Sequence, residues 1–405
     1  MKTIQNFILL LMICFWILNI DAQEKSKNIE PISKSFIKEF EIGDLGISRG
    51  VTVEETADGN YILTGYTTGN GTGGEDAFLI KTNSIGETLW TKIFGGSEND
   101  NGWAVRQTND GGFIMVGFTS SFGAGGMDVY VLKTDANGEV FWTKTYGNQG
   151  DEFGWDIRTT SDNGFIIAAQ TNSSGKGEID AYLIKLDGDG NEVWSKTFGG
   201  DRIDRIFSVL ETEAGEYVAA GITYSYNSIG PNDRDGYYIK TDSNGEVEWY
   251  KTFGKDGYDV GHSIAPNNDG SFMITGYGES YATNGNKDVY ILKINSNGEI
   301  LWTKAFGGEE SERGIKGYQT SDGGYIVVGF IEGIWDVYLV KTDSEGELLW
   351  SRTFGEKNKK DVGYTVRETK DNGFIIIGHT ENFDGSDAKI LLIKTDSNGL
   401  VKKID

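Results

Sequence analysis

An acidic residue recurs at intervals of about fifty residues along most of the chain. Each acid stands at the start of a short apolar segment, and the equivalent place in the first repeat, near Ser48, has none. Such carboxylates could attract cations, or two of them could serve as acid and base in glycoside hydrolysis. The series therefore marks a candidate site, whose members are Asp100, Glu152, Asp204, Asp259, Glu312 and Asp361.

A second series lies three residues after these acids, and its members differ from repeat to repeat. A residue that every repeat shares serves the repeat itself, whereas one that varies is free to serve a ligand. Aromatic side chains there would offer flat surfaces to sugars or other neutral, ring-bearing ligands. Packing between adjacent repeats is the competing interpretation. The candidate ligand contacts are Trp103, Trp155, His262 and Tyr364, with Phe207 and Ile315 at the same position.

Other catalytic motifs are scarce. His262 and His379 are the only histidines and Cys14 is the only cysteine, which excludes a three-histidine metal site and catalytic thiols in the mature part. No nucleophile elbow occurs. A pair of carboxylates for hydrolysis stays open, but a ring of acids always offers some pair at a useful spacing, so this pattern is unspecific.

The elements that must position these residues are repeated β-strands. The motif Trp-x-Lys-x-aromatic-Gly, with Arg for Lys in the last copy, occurs at Trp90, Trp142, Trp194, Trp249, Trp302 and Trp350. Each unit holds four β-rich segments, which we call strands A to D, separated by Gly, Asp or Asn turns. An aspartate of strand C counts seven units, at Asp76, Asp128, Asp180, Asp235, Asp288, Asp336 and Asp387. The sequence therefore predicts an all-β fold over residues 35–405, a seven-bladed β-propeller of four-stranded antiparallel blades.

The ends of the repeat region predict how the ring closes. The last unit lacks a proper strand D, because Lys403 stands where the tryptophan should be. Residues 36–40 reproduce the strand D motif, with Phe36 in the tryptophan position. We therefore expect the N-terminal strand to complete the last blade and to remove a free sheet edge. An open solenoid is the alternative, and it would leave both half-blades unexplained.

Some positions are the same in every unit and are most simply structural. They are the strand C aspartates and a lysine of the same strand, at Lys81, Lys133, Lys185, Lys240, Lys293, Lys341 and Lys394. Strand A is innermost in a propeller, so the acidic series should instead form a partial ring near one mouth of the channel.

Loop lengths indicate which face is functional. The A–B turns all have one length, and so do the C–D turns. The B–C connections differ in length from unit to unit, and in propellers they lie on the same face as the D–A connections. The longest B–C connection carries Tyr226, Pro231 and Arg234, and it is the candidate lid or recognition loop. We expect this variable face to carry the function.

The N-terminal residues predict export. Lys2 precedes an apolar run over residues 7–18 and a polar stretch with Ala22 as a cleavage position, the layout of a secretory signal peptide. The run is too short to span a bilayer, which needs roughly 20 residues. We expect a signal peptide over residues 1–22, a short tether over residues 23–34 and an extracytoplasmic protein that is periplasmic, secreted or at the cell surface. An uncleaved amphiphilic N-terminus is the alternative.

Charge and cysteine content narrow the class of partner. The net charge of −24 repels phosphate backbones, which argues against nucleic acid. The mature part has no cysteine, so it forms no disulfide, and export without disulfides suits a bacterial or archaeal envelope. We expect a monomer with no transmembrane segment in the mature chain.

A family resemblance rests on the turn before strand D. The segment Asp242-Ser-Asn-Gly245-Glu-Val-Glu-Trp249 resembles the tryptophan-docking motif of quinoprotein-like propellers, although it is one residue shorter between Asp and Gly. Residues 36–405 also resemble the repeat propellers of exported bacterial and archaeal surface proteins. The quinoprotein likeness implies a quinone cofactor and a dehydrogenase. The chain departs from it, with seven blades where eight are usual and no vicinal cysteine pair. We therefore expect no cofactor, with calcium binding left open.

Three functions compete at this stage. The first is a non-enzymatic secreted or cell-surface propeller that binds a glycan, a polymer or a protein through its variable face. The second is a carbohydrate-active hydrolase or lyase that uses the carboxylates at the channel mouth. The third is a structural or adhesive spacer without a small ligand.

Overall fold

The structure, a computed structural model, describes residues 35–43, 46–226, 233–255, 257–282 and 286–401. Across these ranges the regular elements are strands in seven four-stranded sheets. The predicted signal peptide and tether lie outside the described residues. Blades 1 to 3 are formed by β2 (Ser48–Glu55), β3 (Tyr61–Thr67), β4 (Asp76–Thr82), β5 (Thr88–Phe94); β6 (Asp100–Gln107), β7 (Phe113–Thr119), β8 (Asp128–Thr134), β9 (Val140–Tyr146); β10 (Glu152–Thr159), β11 (Phe165–Thr171), β12 (Asp180–Leu186) and β13 (Glu192–Phe198).

The later blades repeat the same order of strands A to D. They are formed by β14 (Asp204–Glu211), β15 (Tyr217–Thr223), β16 (Asp235–Thr241), β17 (Val247–Phe253); β18 (Asp259–Pro266), β19 (Phe272–Gly278), β20 (Asp288–Ile294), β21 (Ile300–Phe306); β22 (Glu312–Gln319), β23 (Tyr325–Ile331), β24 (Asp336–Thr342), β25 (Leu348–Phe354); and β26 (Lys359–Glu368), β27 (Phe374–Asn382), β28 (Lys389–Thr395) with β1 (Phe36–Phe40). The prediction of a seven-bladed, all-β propeller is confirmed.

Burial follows the place of each strand in its blade. β7 and β8, the middle strands of blade 2, are buried at every residue, because both of their faces pack on neighbouring blades. The outer strand β9 alternates between exposed and half-buried residues. Side chains of two adjacent blades form each core cluster, such as Ile114 and Val116 of blade 2 with Ile157 and Phe165 of blade 3. The core is therefore a series of interfaces between blades, as radial repetition requires.

Each outer-strand tryptophan packs on the C–D turn of the next blade. A Cβ on Gly190 would lie 2.7 Å from the ring of Trp142, and the φ of this glycine is +74°, so both the contact and the turn require glycine. Trp194 also donates a hydrogen bond from Nε1 to the carbonyl of Ser243, at 3.1 Å. The rings are half-buried rather than fully buried, because strand D is outermost and leaves one ring edge in solvent.

The ring closes as the sequence predicts. β1 is hydrogen-bonded to β28 in the sheet order β1-β28-β27-β26. Phe36 pairs with Lys394, just as Trp90 pairs with Lys81 in blade 1. A Cβ on Gly86 would lie 2.7 Å from the Phe36 ring, so this ring docks on blade 1 in the manner of the tryptophans.

The residues shared by all units stabilise turns. The strand C lysines form ion pairs with an acid of the A–B turn, for example Lys185 with Asp162 at 2.9 Å and Lys394 with Asp371 at 2.9 Å. The aspartates accept backbone bonds from the B–C connection, as Asp128 does from Ala124 at 2.9 Å. One assignment is wrong. Asp387 precedes β28 with a φ of 54°, and Lys389 takes the aspartate's place because Thr380 pairs with it.

The variable loops lie on one face. The A–B turn of blade 2 spans residues 108–112 and the C–D turn spans residues 135–139, and both lengths recur in the other blades. The B–C connections differ, from residues 332–335 to residues 224–234. They lie beside the D–A connections, because the Gly74 amide donates to the Glu98 carbonyl and the Gly126 amide to the Gly150 carbonyl. This face is also where every strand A begins.

Candidate functional site

A β-bulge aims one residue of each strand A into the channel. The pairing of strands A and B shifts register three residues after the acidic position in all seven blades. A bulge of this kind locally bends the strand and re-aims a side chain. The bulged residues are Val51, Trp103, Trp155, Phe207, His262, Ile315 and Tyr364.

These bulged residues surround one cavity at the end of the channel where the strands A begin. The cavity has a volume of about 330 Å³. Tyr277 and Phe330 of strands B, with Arg313, Lys316 and Thr365, complete its lining. The structure thus brings together the four predicted contacts Trp103, Trp155, His262 and Tyr364, together with Phe207 and Ile315 of the same series.

The rings form a continuous run around half of the mouth. Trp103 and Trp155 meet edge to face with ring centroids 4.9 Å apart, and Trp155 meets Phe207 in the same way at 5.6 Å. Phe207 then stacks on His262 at 5.0 Å. Burial lowers the pKa of His262 to about 4, with repulsion from Lys316 and Arg234 adding to it, so this imidazole is neutral at pH 7. The run of four rings from Trp103 to His262 is therefore uncharged at pH 7.

The six carboxylates do not face this cavity as free groups. Asp100 is fully buried and accepts hydrogen bonds from Thr119 and Ser121 of the same blade and from the backbone amide of Gly96. These contacts link the D–A connection to the B–C connection. The acids therefore have a structural role, which the sequence predicts only for the residues of strand C.

The other blades use their acids in the same way. Asp204 accepts bonds from Thr223, Ser225 and the Gly200 amide, and Glu152 accepts equivalent bonds. Asp259, Glu312 and Asp361 are at most 4% exposed, and each accepts a backbone hydrogen bond from a neighbouring loop. Burial raises the pKa of Glu312 to about 7, with repulsion from Asp288 and Glu310 adding to the effect. The acids therefore stabilise loops and are not a ring that attracts cations.

A buried charged cluster forms the floor beneath the rings. Asp156 is fully buried and accepts a hydrogen bond from Arg106 of the preceding blade at 2.5 Å. Arg158 lies 3.3 Å from the other oxygen of Asp156, and Ser208 donates to that oxygen at 3.0 Å. Burial alone would raise the pKa of Asp156, but the charges of Arg158, Arg106 and Lys316 hold it well below its usual range.

Cations outnumber carboxylates in this floor. Arg106, Arg158, Lys316 and Arg367 interact there with two acids, Asp156 and Glu54. Burial lowers the pKa of Arg367 to about 9, with repulsion from Arg106 and Arg158 adding to it. The expected cation-attracting mouth is thus replaced by a cationic floor inside a strongly acidic protein.

Sequence reasoning missed the floor, although the repeats contain the signal. The residue after the bulge is small in five blades, at Thr52, Ala104, Ser208, Ser263 and Thr365. The same position holds Asp156 and Lys316 in the other two blades. A charged residue in place of a small one, on the innermost strand, was therefore the sequence signal for this cluster.

The two loop candidates differ in position, because Tyr226 lies away from the rings whereas Arg234 lies near His262. Tyr226 stacks on Tyr250 of β17 with centroids 4.8 Å apart and on Tyr237 at 5.9 Å, so it covers the outer part of blade 4. The guanidinium carbon of Arg234 lies 3.3 Å from the ring centroid of Tyr258, and the same group donates to the Tyr224 hydroxyl at 3.1 Å. This places Arg234 beside the mouth. Pro231 lies outside the described residues.

The described residues contain neither a candidate metal site nor a candidate membrane-spanning helix. No group of three or more His, Cys, Asp or Glu side chains there could hold a metal ion. Calcium binding stays an open question. No helix in the same part of the chain is long and apolar enough to cross a membrane.

Known proteins resemble this chain in fold alone. No family model and no curated protein matches the chain. A puromycin hydrolase structure is similar with a TM-score of 0.54 and 14% identity, over 82% of this chain and 50% of that one. Polysaccharide lyase Uly1 has a TM-score of 0.52 and 10% identity, over 86% and 90% of the two chains. The Neurospora crassa Pan2 WD40 domain has a TM-score of 0.53 and 10% identity, over 89% and 96%.

The shared fold is the β-propeller. This chain spans about half the length of the puromycin hydrolase chain. These three proteins are a hydrolase, a lyase and a WD40 domain, so the likeness leaves the function undetermined.

Proposed function

We propose that the chain is a non-enzymatic binding protein, secreted or at the cell surface, that holds the end of a glycan in the cavity of bulged residues. The observation that carries this proposal is the continuous run of rings from Trp103 to His262 around the channel mouth. Sugar rings present apolar C–H faces to such surfaces and hydroxyls at their edges. A binding site for them therefore needs both flat rings and hydrogen-bonding groups.

One of the residues that line the cavity also carries an unpaired hydrogen-bond donor. The indole Nε1 of Trp103 is buried and has no hydrogen-bond partner among the described residues. Leaving a buried donor unpaired costs about 1–3 kcal/mol, which a ligand hydroxyl would restore. Trp155, in contrast, donates to Gln170 at 3.2 Å. Trp103 is therefore the residue that we expect to donate to the ligand.

The size of the cavity favours a chain end over a long segment. Its volume of about 330 Å³ is in the lower part of the range of small-ligand pockets, about 300–1,000 Å³. A polymer could place its end here while its remainder lies over the variable loops. A protein partner would have to insert a side chain instead. A spacer function gives no reason for an unpaired donor at the mouth.

The enzymatic alternative is a carbohydrate-active hydrolase or lyase. Its hydrolase form loses support because the six carboxylates are buried and hydrogen-bonded within the loops. A lyase could use the neutral imidazole of His262 as a base, since its pKa of about 4 leaves it unprotonated at pH 7. Turnover of a bound polysaccharide would favour this alternative.

The test is a glycan screen on the purified protein, followed by calorimetric titration with the best ligand. Replacing Trp103 and Trp155 together by Ala should abolish binding, because this removes two adjacent rings and the unpaired donor. Trp103→Phe keeps a ring and should weaken binding by roughly tenfold, which corresponds to one hydrogen bond.

The matched control lies on the opposite face. Asn137→Ala with Asn244→Ala alters two C–D turns in which the backbone amides make the hydrogen bonds to Asp135 and Asp242. This pair should bind as the unchanged protein does. Loss of binding in the control with retention in the tryptophan pair would show that the wrong face was chosen. Product release from any bound polysaccharide would overturn the non-enzymatic part of the proposal.

A further inference from the structure

Lys316 is the one floor residue that both lines the cavity and belongs to the charged cluster. It follows the bulge in β22 and is 9% exposed. Its ammonium group has no hydrogen bond to any of the described residues, whereas Arg106 and Arg158 both contact Asp156. The Nζ atom is not among the buried unpaired atoms, so an acceptor in the cavity can reach it, and without one the charge is poorly compensated.

The charge of Lys316 is poorly compensated by the groups around it. Asp156 attracts it, but this carboxylate already accepts from Arg106 at 2.5 Å and from Ser208 at 3.0 Å. Arg106, Arg158 and Arg367 all repel the ammonium. An anion at the cavity side of Lys316 would therefore satisfy its donors and reduce the repulsion inside the floor.

The level above the floor is also cationic. Three arginines occupy the second position of their strands A. Arg49 is paired with Glu381 at 2.6 Å, and Arg313, which lines the cavity, is paired with Glu332. Arg205 has no ion pair to any described residue, and its buried Nε has no hydrogen-bond partner there. The acidic protein thus concentrates cations at one mouth, which favours the approach of an anionic ligand.

We propose that the bound sugar is acidic, and that its carboxylate or sulfate group contacts the Lys316 ammonium while its ring packs on Trp103 and Trp155. This inference rests on the proposed glycan binding and specifies its ligand class. The rings and Lys316 line the same cavity, so one pyranose can reach both. A neutral sugar of the same shape would leave Lys316 uncompensated.

The proposal makes binding of acidic sugars pH-dependent. Burial lowers the pKa of Lys316 to about 7, against the attraction of Asp156 and together with repulsion from Arg106, Arg158 and Arg367. The ammonium is therefore charged below pH 7 and largely neutral at pH 8.5. Other groups near Lys316 also have shifted pKa values. His262, with a pKa of about 4, stays neutral over this interval, and Asp156, whose pKa is held well below its usual range, stays charged. Arg367, with a pKa of about 9, keeps most of its charge up to pH 8.5. Affinity for an acidic sugar should fall by roughly tenfold as the pH rises from 6 to 8.5.

The experiment compares three probes by calorimetric titration: trigalacturonate, its carboxyl-reduced neutral counterpart, and a sulfated galactose trimer. The unchanged protein should bind at least one acidic trimer tenfold or more tightly than the neutral one at pH 6. Lys316→Met should remove this preference and its pH dependence, whereas Lys316→Arg should retain the preference without the pH dependence. Lys251→Met, on the outer strand β17, changes the net charge equally and should behave as the unchanged protein.

The outcomes separate the two proposals. Equal affinity for acidic and neutral trimers, or a preference that survives Lys316→Met, overturns the acidic ligand and leaves glycan binding in place. Failure of every trimer to bind overturns these acidic sugars as ligands, and glycan binding itself is overturned only if the glycan screen finds no ligand either. Inorganic sulfate is then the remaining probe: binding that Lys316→Met removes supports the anion site, and absence of sulfate binding overturns it too.

Discussion

The stability of the protein should increase when its proposed anion site is removed. Lys316→Met replaces a buried ammonium by an apolar side chain of similar length, while Arg106 and Arg158 continue to compensate Asp156. The pKa of Lys316 falls from 10.5 to about 7 in the folded state. At 1.36 kcal/mol for each pH unit, folding with this lysine charged is disfavoured by on the order of 5 kcal/mol. Replacement of a buried charge by a well-packed apolar group typically yields about 1–4 kcal/mol, which is the gain that we expect.

The pH dependence distinguishes this cause from a general packing effect. Between pH 7 and pH 10.5 the unfolded chain holds the Lys316 proton and the folded chain does not. The stability of the unchanged protein should therefore gain a contribution from Lys316 as the pH rises through this interval. The variant lacks that contribution, so its advantage should be largest at or below pH 7 and should shrink towards pH 10.

The assay is urea unfolding of both proteins at pH 6.5, 8 and 9.5, in buffers without sulfate or phosphate. Lys357→Met serves as the stability control, because this exposed side chain makes no ion pair or hydrogen bond to any described residue, and it should match the unchanged protein at each pH. A variant that is less stable than the unchanged protein at pH 6.5 would refute the reasoning, and so would an advantage that does not vary with pH. Either result would mean that Lys316 is compensated in the folded state, which would remove the physical basis of the anion site.

Three further predictions concern the scaffold, each measured by chemical denaturation. Trp194→Ala should cost about 3 kcal/mol, at the low end for a tryptophan because the ring is half-buried, and unchanged stability would show that this docking contact is not needed. A chain that begins at Ile42 lacks β1 and should expose the edge of β28, lowering the melting temperature and promoting association; a fully stable monomer would contradict ring closure by β1. Asp204→Ala should cost about 1–3 kcal/mol, because Thr223, Ser225 and the Gly200 amide lose their acceptor, yet it should leave ligand binding intact. If Asp204→Ala lost ligand binding at full stability, the acids would belong to the ligand site after all.

The repeats made the fold predictable from the sequence, because seven copies of one pattern specify strand order, turn lengths and the half-blades at the two ends. Phe36 in the tryptophan position was enough to predict the pairing of β1 with β28. The convergence of Trp103, Trp155 and His262 was predictable for a similar reason, since strand A is innermost and its blade-specific residues must meet at the axis.

The role of the acids was harder to predict. The partners of Asp100 lie in a different loop, about twenty residues further along the chain, and spacing alone does not reveal hydrogen bonds between loops. The threonine that ends strand B recurs in several blades, as Thr119 and Thr223 do, and this recurrence was the available indication. The charged floor depends on contacts between blades, such as Arg106 with Asp156, which only the closed ring establishes.

Different positions of strand A have separate roles, which explains how one scaffold accommodates a site. The acid at its start fixes the loops and the bulge directs the next variable residue into the channel, so neither task depends on what that residue is. The position after the bulge is small in five blades, which leaves room at the axis for Asp156 and Lys316. Only Lys316 of these two reaches the cavity without a hydrogen-bond acceptor, while the acids stay committed to the loops. The chain carries a net charge of −24, whereas cations outnumber carboxylates in the floor at its axis, so the proposed ligand site has a charge opposite to that of the whole protein.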